Sequence, residues 1–429
     1  MKTKLERVAE KAKSDQKLRF NCLAHLLTPD FMAETWQKMN KRGAAGIDEE
    51  TMTAFGWHLD ERIKELHERL LKGVYRAPAV RRVEIPKGEN KVRKLGIPTV
   101  EDRLLQGSVA RILNVIYEPL FLDCSYGFRP GRSAHDALRA LRGHLIGGKV
   151  MQVFEADIRT YFDEVNHEWL MRMLKERISD KVILRLILKW LKAGVMENGL
   201  KLKSISGVPQ GGPVSCILSN IYLHYVLDLW FEKRVKKSCK GEAHLVRYVD
   251  DYVVCFQYKS DAQTFSRLIE ERFSKFNLEL AEEKTRRITF GRFARERCQQ
   301  FGIPLEEFVF LGFRHICGTD RQGRYALIRI PSVKSCRKFK DRVKEWFERR
   351  IHWKVKDQQA HLASMLRGFY QYFALPHCTS KLYLIHGWVE RYWRHILQRR
   401  SQKSKTHWSY LSTREWFKLP TPKSLHQSV

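Results

Sequence analysis

Asp250 and Asp251 are adjacent carboxylates at the tip of an otherwise apolar stretch. Two neighbouring carboxylates repel each other and are costly to desolvate. A divalent cation offsets that cost, and magnesium takes one or two carboxylates together with substrate phosphates. Asp157 ends a second apolar run, Met151-Gln152-Val153-Phe154-Glu155-Ala156. If the two runs are strands whose ends lie side by side, three carboxylates converge. Two ions about 3.5–4 Å apart could then activate a hydroxyl nucleophile and stabilise a phosphate leaving group. An Asp-Asp pair alone more often marks a solvated turn. The apolar flanks and the matched run ending in Asp157 favour the metal site.

The elements that must position these groups are legible in part. His244-Leu245-Val246-Arg247 and Tyr252-Val253-Val254-Cys255-Phe256 flank the polar tip and read as a hairpin. Val80–Pro86 and Val92–Pro98, separated by Lys87-Gly88-Glu89-Asn90, read as a second, basic hairpin. Residues 1–65 read as polar helices with a loop at Lys41–Gly46. Helical texture follows at about 101–118, 133–145, 166–194, 213–235 and 260–275. Strands with helices gathered on one side imply an α+β fold. After Pro331 the chain becomes helical and very basic, with Ser332 as N-cap. Val333, Phe339, Val343, Trp346 and Phe347 form an apolar seam among Lys334, Arg337, Lys338, Lys340, Arg342 and Lys344. Residues 358–396 read as two aromatic-rich helices, and the tail beyond Arg399 as polar and loosely held.

The chain carries 79 Lys and Arg against 48 Asp and Glu, a net charge of +31. A field of that size attracts polyanions, because neutralised phosphates release condensed counterions. Nucleic acid is the first expectation. An anionic membrane is the second, but no apolar run looks long enough to span a bilayer. The N-terminus is charged and lacks the apolar stretch of a secretory signal. Nine scattered cysteines form no Cys-x-x-Cys pair, which argues for free thiols in a reducing cytoplasm.

Tyr248-Val249-Asp250-Asp251 resembles the Tyr-x-Asp-Asp box of reverse transcriptases, and Asp157–Asp163 resembles their first catalytic block. Ser206–Pro213 is similar to the Pro-Gln-Gly block of the nucleotide pocket. Leu280–Thr285 and Phe310–Phe313 resemble the two blocks that follow. A narrower likeness, to bacterial group II intron reverse transcriptases, rests on Ile85-Pro86-Lys87, Arg93, Gly96-Ile97-Pro98, Asp102-Arg103 and Gln106. It also rests on Ser125–Ser133, Gly46-Ile47-Asp48 and the Leu366–Phe373 segment. The sequence departs from that pattern at Val249, where Ala is commoner, and at Arg159-Thr160-Tyr161, where Lys-Gly-Phe is commoner. No Cys/His-rich endonuclease segment follows, which implies the endonuclease-lacking class or a stand-alone relative.

The resemblance implies a right-hand polymerase. Its parts are an N-terminal extension (1–65), fingers and palm (66–330), a helical thumb and maturase-like region (331–400) and a basic polar tail (401–429). It implies Asp157, Asp250, Asp251 and the Ile158 carbonyl as ligands of two Mg2+ ions, with Mn2+ able to substitute. Lys87, Arg93, Phe162, Gln210 and Gly211 would bind the incoming nucleotide, with Phe162 abutting its sugar. Ordinary alternatives stand beside these roles: Phe162 as core, Lys87 and Arg93 as a solvated basic hairpin, Gly211-Gly212 as a tight turn. Arg129, Arg132, Lys284, Arg337, Lys338 and Lys344 would touch nucleic acid. The implied reaction is RNA-templated DNA synthesis from deoxynucleoside triphosphates on a DNA or RNA primer. A structured intron RNA is a further partner, no membrane is involved, and the location is the bacterial cytoplasm, on the nucleoid when bound to DNA. Rival readings are an RNA-scaffolding maturase and an enzyme recruited to DNA repair or antiviral defence.

Overall fold

The computed structural model describes residues 3–88, 91–197, 200–202, 206–208, 211–400 and 407–426. Its centre is an antiparallel sheet of four strands: β3 (Gln152–Asp157), β6 (Ala243–Tyr248), β7 (Asp251–Phe256) and β8 (Arg286–Thr289), in the order β6-β7-β3-β8. Towards the N-terminus, β1 (Val80–Gly88) and β2 (Lys91–Ile97) form the expected hairpin, extended through β4 (Val195–Glu197) to β5 (Leu200–Leu202). Towards the C-terminus, β9 (Phe308–Phe310), β10 (Phe313–Thr319) and β11 (Tyr325–Pro331) make a three-stranded sheet. The helices Val333–Glu348, Val355–Phe373 and Thr379–Gln398 follow it.

The central sheet is buried on both faces, and strict alternation of side chains decides what each face meets. Tyr252, Val254 and Phe256 join Phe154 and Ala156 in a core shared with the helices Val100–Tyr117, Pro213–Leu223 and Lys259–Lys275. Val253 and Cys255 join Val153, Val246 and Ile288 in a second core with the helix Ala134–Gly147, the three-stranded sheet and the C-terminal helices. Covering on both sides explains why these strands read as unbroken apolar runs.

Four expectations are corrected. The continuous helical segment Pro213–Ser238 is 26 residues long with a mean hydropathy of 1.3 in its most apolar window, long and apolar enough to cross a membrane. Most of it is buried inside the protein, its Val214, Ile217, Leu218, Ile221 and Val226 lying in the first core. The described part of the tail is not loosely held. Leu411, Phe417 and Leu419 are buried, and Phe417 stacks on Trp393 with ring centroids 4.7 Å apart. Val333 leaves the apolar seam of its helix: it is 62% exposed, while Phe339, Val343 and Phe347 are buried. The fourth correction concerns Arg129 and belongs to the site.

Candidate active site

In the β3–β7 ladder, Asp157 stands opposite Asp251, and Tyr248 stands opposite Asp251 across β6. One short turn, Val249-Asp250, closes the hairpin between them. Side-by-side strand ends thus bring the three carboxylate-bearing positions to one edge of the sheet. Burial raises the pKa of Asp251 to about 8, and Asp157 and Asp250 add to the shift by repulsion. The Leu311 backbone opposes it by donating a hydrogen bond. Such a group asks for a counter-cation. In the protein alone, the ammonium of Lys284 serves Asp157, with which it forms an ion pair. Among the described residues, no group of three or more His, Cys, Asp or Glu side chains is arranged to hold a metal ion by itself. Magnesium needs none, since it completes its shell with water and substrate phosphates. The donor set, all oxygen and net negative, fits a hard divalent ion.

The turn itself is strained. Val249 has φ +61° and is buried, and a β-branched residue in the left-handed region is a true outlier. Its neighbours hold it there. Gly127 lies so close that a Cβ would come within 2.8 Å of the Val249 nitrogen. The carbonyl of Val249 accepts from the guanidinium of Arg247 at 3.0 Å.

Beyond Asp157, Ile158 is buried and bridges to Leu280, while the Asp157 carbonyl accepts from the Ala281 N–H at 2.9 Å. Thr160, at φ +39°, turns the chain into the short helix Tyr161–Glu164. The Phe162 ring is half-buried against Tyr161, 5.3 Å away edge to face. The Phe162 carbonyl accepts from Val208 N–H at 2.7 Å, which ties the Ser206–Val208 segment to the first catalytic block. Gly211, at φ +126°, lies against β2: a Cβ there would meet the Gly96 carbonyl at 2.5 Å. The β1–β2 hairpin pairs Ile85 with Arg93, and its register shifts between Pro86 and Gly88, around Lys87. The side chains of Lys87 and Arg93 and the whole of Gln210 lie outside the described residues.

Arg129 does not face nucleic acid. It is buried, and its donors go to the Glu118 carboxylate and to the carbonyls of Phe121, Leu122 and Ser125. An arginine has five N–H groups, and these contacts use all of them. Arg132 is half-buried, pairs with Asp123 at 2.6 Å and lies over the Tyr126 ring. Arg337, Lys338 and Lys344 are exposed on the helix Val333–Glu348. Lys344 also forms an exposed pair with Asp341 at 3.5 Å, which salt screens easily.

Three features went unread in the sequence. The first is the buried cluster around Arg247. The second is the run of β8 to β11. The third is the link from the helix Val355–Phe373 to the turn between β9 and β10, in which the Tyr372 hydroxyl donates to the Leu311 carbonyl at 2.9 Å. Only the first carried a signal: an arginine and an aspartate inside apolar runs must find a charged partner.

Comparison with known proteins identifies the family. Residues 85–315 match the model of the family described as reverse transcriptase (RNA-dependent DNA polymerase), and residues 336–414 match the group II intron maturase-specific domain. Protein YkfC of Escherichia coli K12 is 32% identical over 352 residues, covering 77% of this chain and 92% of that protein. The group II intron-encoded protein LtrA of Lactococcus lactis subsp. cremoris is 40% identical over 234 residues, 52% of this chain but only 38% of LtrA. The mitochondrial nuclear intron maturase 1 of Arabidopsis thaliana is 30% identical over 95 residues, 22% of this chain and 13% of that protein. A divalent-metal requirement comes with such a polymerase domain. With the carboxylates on one sheet edge and both domains matched in order, this chain belongs to the group II intron reverse transcriptases, RNA-directed DNA polymerases that carry a maturase domain.

Proposed function

We propose that the chain extends a DNA or RNA primer on an RNA template with deoxynucleoside triphosphates. It would use two Mg2+ ions, replaceable by Mn2+, held by Asp157, Asp250, Asp251 and the Ile158 carbonyl. The observation that carries this reading is the register that sets Asp157 opposite Asp251 beside the Asp250 turn. Bound there, the ions would lower the pKa of the primer hydroxyl and stabilise the pyrophosphate leaving group. The chain's own residues do the rest. Phe162 and Gly211 would shape the nucleotide pocket together with Gln210, while Lys87 and Arg93 would hold the triphosphate by charge-assisted hydrogen bonds. Arg132, Lys284, Arg337, Lys338 and Lys344 would follow the backbone of template and primer.

A structured intron RNA is the proposed second partner, supported by the maturase-domain match and by the exposed cations of the thumb. Asp250→Asn and Asp157→Asn test the two roles together. Each removes a metal charge and few phosphate contacts, so primer extension should vanish while RNA binding and intron splicing persist. Extension at the wild-type rate by either variant would overturn the catalytic assignment. Loss of splicing with loss of extension would remove the separate maturase role.

A further inference from the structure

Arg247 has no solvent exposure, and neither do Asp228, Asn220 and Ser125 around it. A buried guanidinium without partners would cost several kcal/mol, so its contacts state what it is for. Its Nε and Nη2 donate to the two oxygens of Asp228 at 2.7 and 2.6 Å. Its Nη2 also donates to the Ser125 hydroxyl at 2.8 Å, and its Nη1 to the Asn220 side-chain oxygen at 3.2 Å. The remaining bond, from Nη1, is the one to the Val249 carbonyl at 3.0 Å.

The partners come from three chain segments. Asp228 is presented by a π-helical turn, His224–Asp228, inside the long apolar helix, and such turns are often found at functional sites. Asn220 precedes it on that helix, and its amide donates to the Gly127 carbonyl at 2.7 Å. Gly127 is the residue that closes on Val249. Ser125 belongs to a segment that runs beside β6, where Tyr126 N–H donates to the Arg247 carbonyl and Arg247 N–H donates to Cys124. Three chain segments therefore meet at one guanidinium, and that guanidinium holds the strained residue next to Asp250.

We propose that Arg247, braced by Asp228, Asn220 and Ser125, is the positioning residue of the catalytic turn. It pins the Val249 carbonyl and thereby fixes where Asp250 presents its carboxylate. A strained conformation persists only where its surroundings over-determine it, and Arg247 supplies that determination from below. It touches neither substrate nor metal; its effect is carried through Val249. This rests on the reading of Asp250 as a metal-holding carboxylate, which Asp250→Asn tests separately.

The experiment compares wild type with Arg247→Lys and Ser125→Ala. Arg247→Lys keeps the charge opposite Asp228 but loses the fork that reaches Val249. Primer extension is measured per active site, counted by burst amplitude, against Mg2+ concentration and against nucleotide concentration, alongside thermal melting. Misplacing a reacting group by about an ångström costs up to ~100-fold in rate, and disturbed supporting contacts cost about 10–100-fold in metal affinity or activity. Arg247→Lys should therefore lower kcat by about 10-fold or more and raise the half-saturating Mg2+ several-fold, with KM for the nucleotide nearly unchanged. Ser125→Ala leaves the Asp228 pair intact and should shift half-saturating Mg2+ in the same direction by a smaller factor. It keeps the question answerable if Arg247→Lys fails to fold. A purely structural role would lower the melting temperature and the number of active sites, yet leave kcat per site and the Mg2+ dependence at wild-type values. That result in the folded variants would overturn the proposal.

Discussion

Lys284 reaches across from the segment after Leu280 to pair with Asp157, the carboxylate that stands opposite Asp251 in the central sheet. The ammonium lies where a divalent ion would draw on the same carboxylate. Burial alone would depress its pKa, but the hydrogen bond and charge of Asp157 carry it above the usual lysine value. Lys284 therefore stays charged and would compete with a metal drawn to Asp157.

The first prediction follows from that competition. An exposed or half-exposed ion pair contributes ~0.2–1 kcal/mol, so its removal should tighten metal binding by a factor of up to about five. Lys284→Gln is expected to bind Mn2+ more tightly than wild type in the free protein, followed by electron paramagnetic resonance of the unbound ion. Weaker binding by the variant would mean that Lys284 organises Asp157 for the metal instead of opposing it.

The second prediction concerns the sugar. Phe162 lies five residues beyond Asp157, half-buried, with its backbone tied to Val208. A rigid ring next to the nucleotide sugar leaves no volume for a 2′-hydroxyl. Phe162→Ala should raise the kcat/KM ratio of rGTP over dGTP in single-nucleotide incorporation. A fully buried Phe costs ~3–5 kcal/mol on truncation, and a half-buried one should cost less, so the variant should remain folded. An unchanged ratio in folded protein would place the sugar gate elsewhere.

What the sequence revealed and what it concealed differ in physical kind. The convergence of Asp157, Asp250 and Asp251 on one sheet edge was legible because charge inside an apolar run is costly and points to a ligand. The hairpin holding Asp250 was legible because two apolar runs flank a polar tip. Arg129 was misread because, in a chain of +31, any arginine in a motif looks like a phosphate contact. Only the fold shows that the carbonyls of Phe121, Leu122 and Ser125 converge on it. The Arg247–Asp228 pair joins residues in different elements, so spacing could not reveal it. The tail looked loose because its three anchors, Leu411, Phe417 and Leu419, are spread among polar residues.

The third prediction tests the thumb. Arg337 and Lys344 lie seven residues apart, two helical turns, so both project from one face of the helix Val333–Glu348. If that face follows nucleic-acid phosphates, log K for template–primer falls linearly with log salt, and each lost contact flattens the slope by ~0.7–0.9. Arg337→Ala, Lys338→Ala and Lys344→Ala combined should flatten it by up to about three such steps. A slope equal to the wild-type value would move the binding surface off this helix.

The fourth prediction concerns pH and a carboxyl that does no chemistry. Asp102 is buried in the helix Val100–Tyr117, where it accepts a hydrogen bond from the Tyr75 hydroxyl. That hydroxyl in turn accepts from the Trp190 indole N–H at 2.9 Å. Burial raises the Asp102 pKa to about 7; the Tyr75 bond opposes the rise, and Glu101 and Asp48 reinforce it. In the unfolded chain the group returns to its ordinary value of 3.8. Between these values the folded protein holds a proton that the unfolded chain has lost. Asp102 therefore makes stability fall as pH rises from about 4 to about 7, with a slope approaching ~1.4 kcal/mol per pH unit. Below pH 4 and above about pH 7 its contribution is flat. Asp102→Asn keeps an oxygen for Tyr75 and carries no charge, so it should erase that slope. The variant should be more stable than wild type at pH 8 and close to it at pH 4. Urea unfolding of both proteins at pH 4, 5, 6, 7 and 8 measures this directly. Other titrating groups, such as the half-buried His144 and the buried His224, whose pKa values desolvation lowers to about 4, are common to both proteins and cancel in the difference. Parallel curves for the two proteins would show that Asp102 stays ionised in the fold.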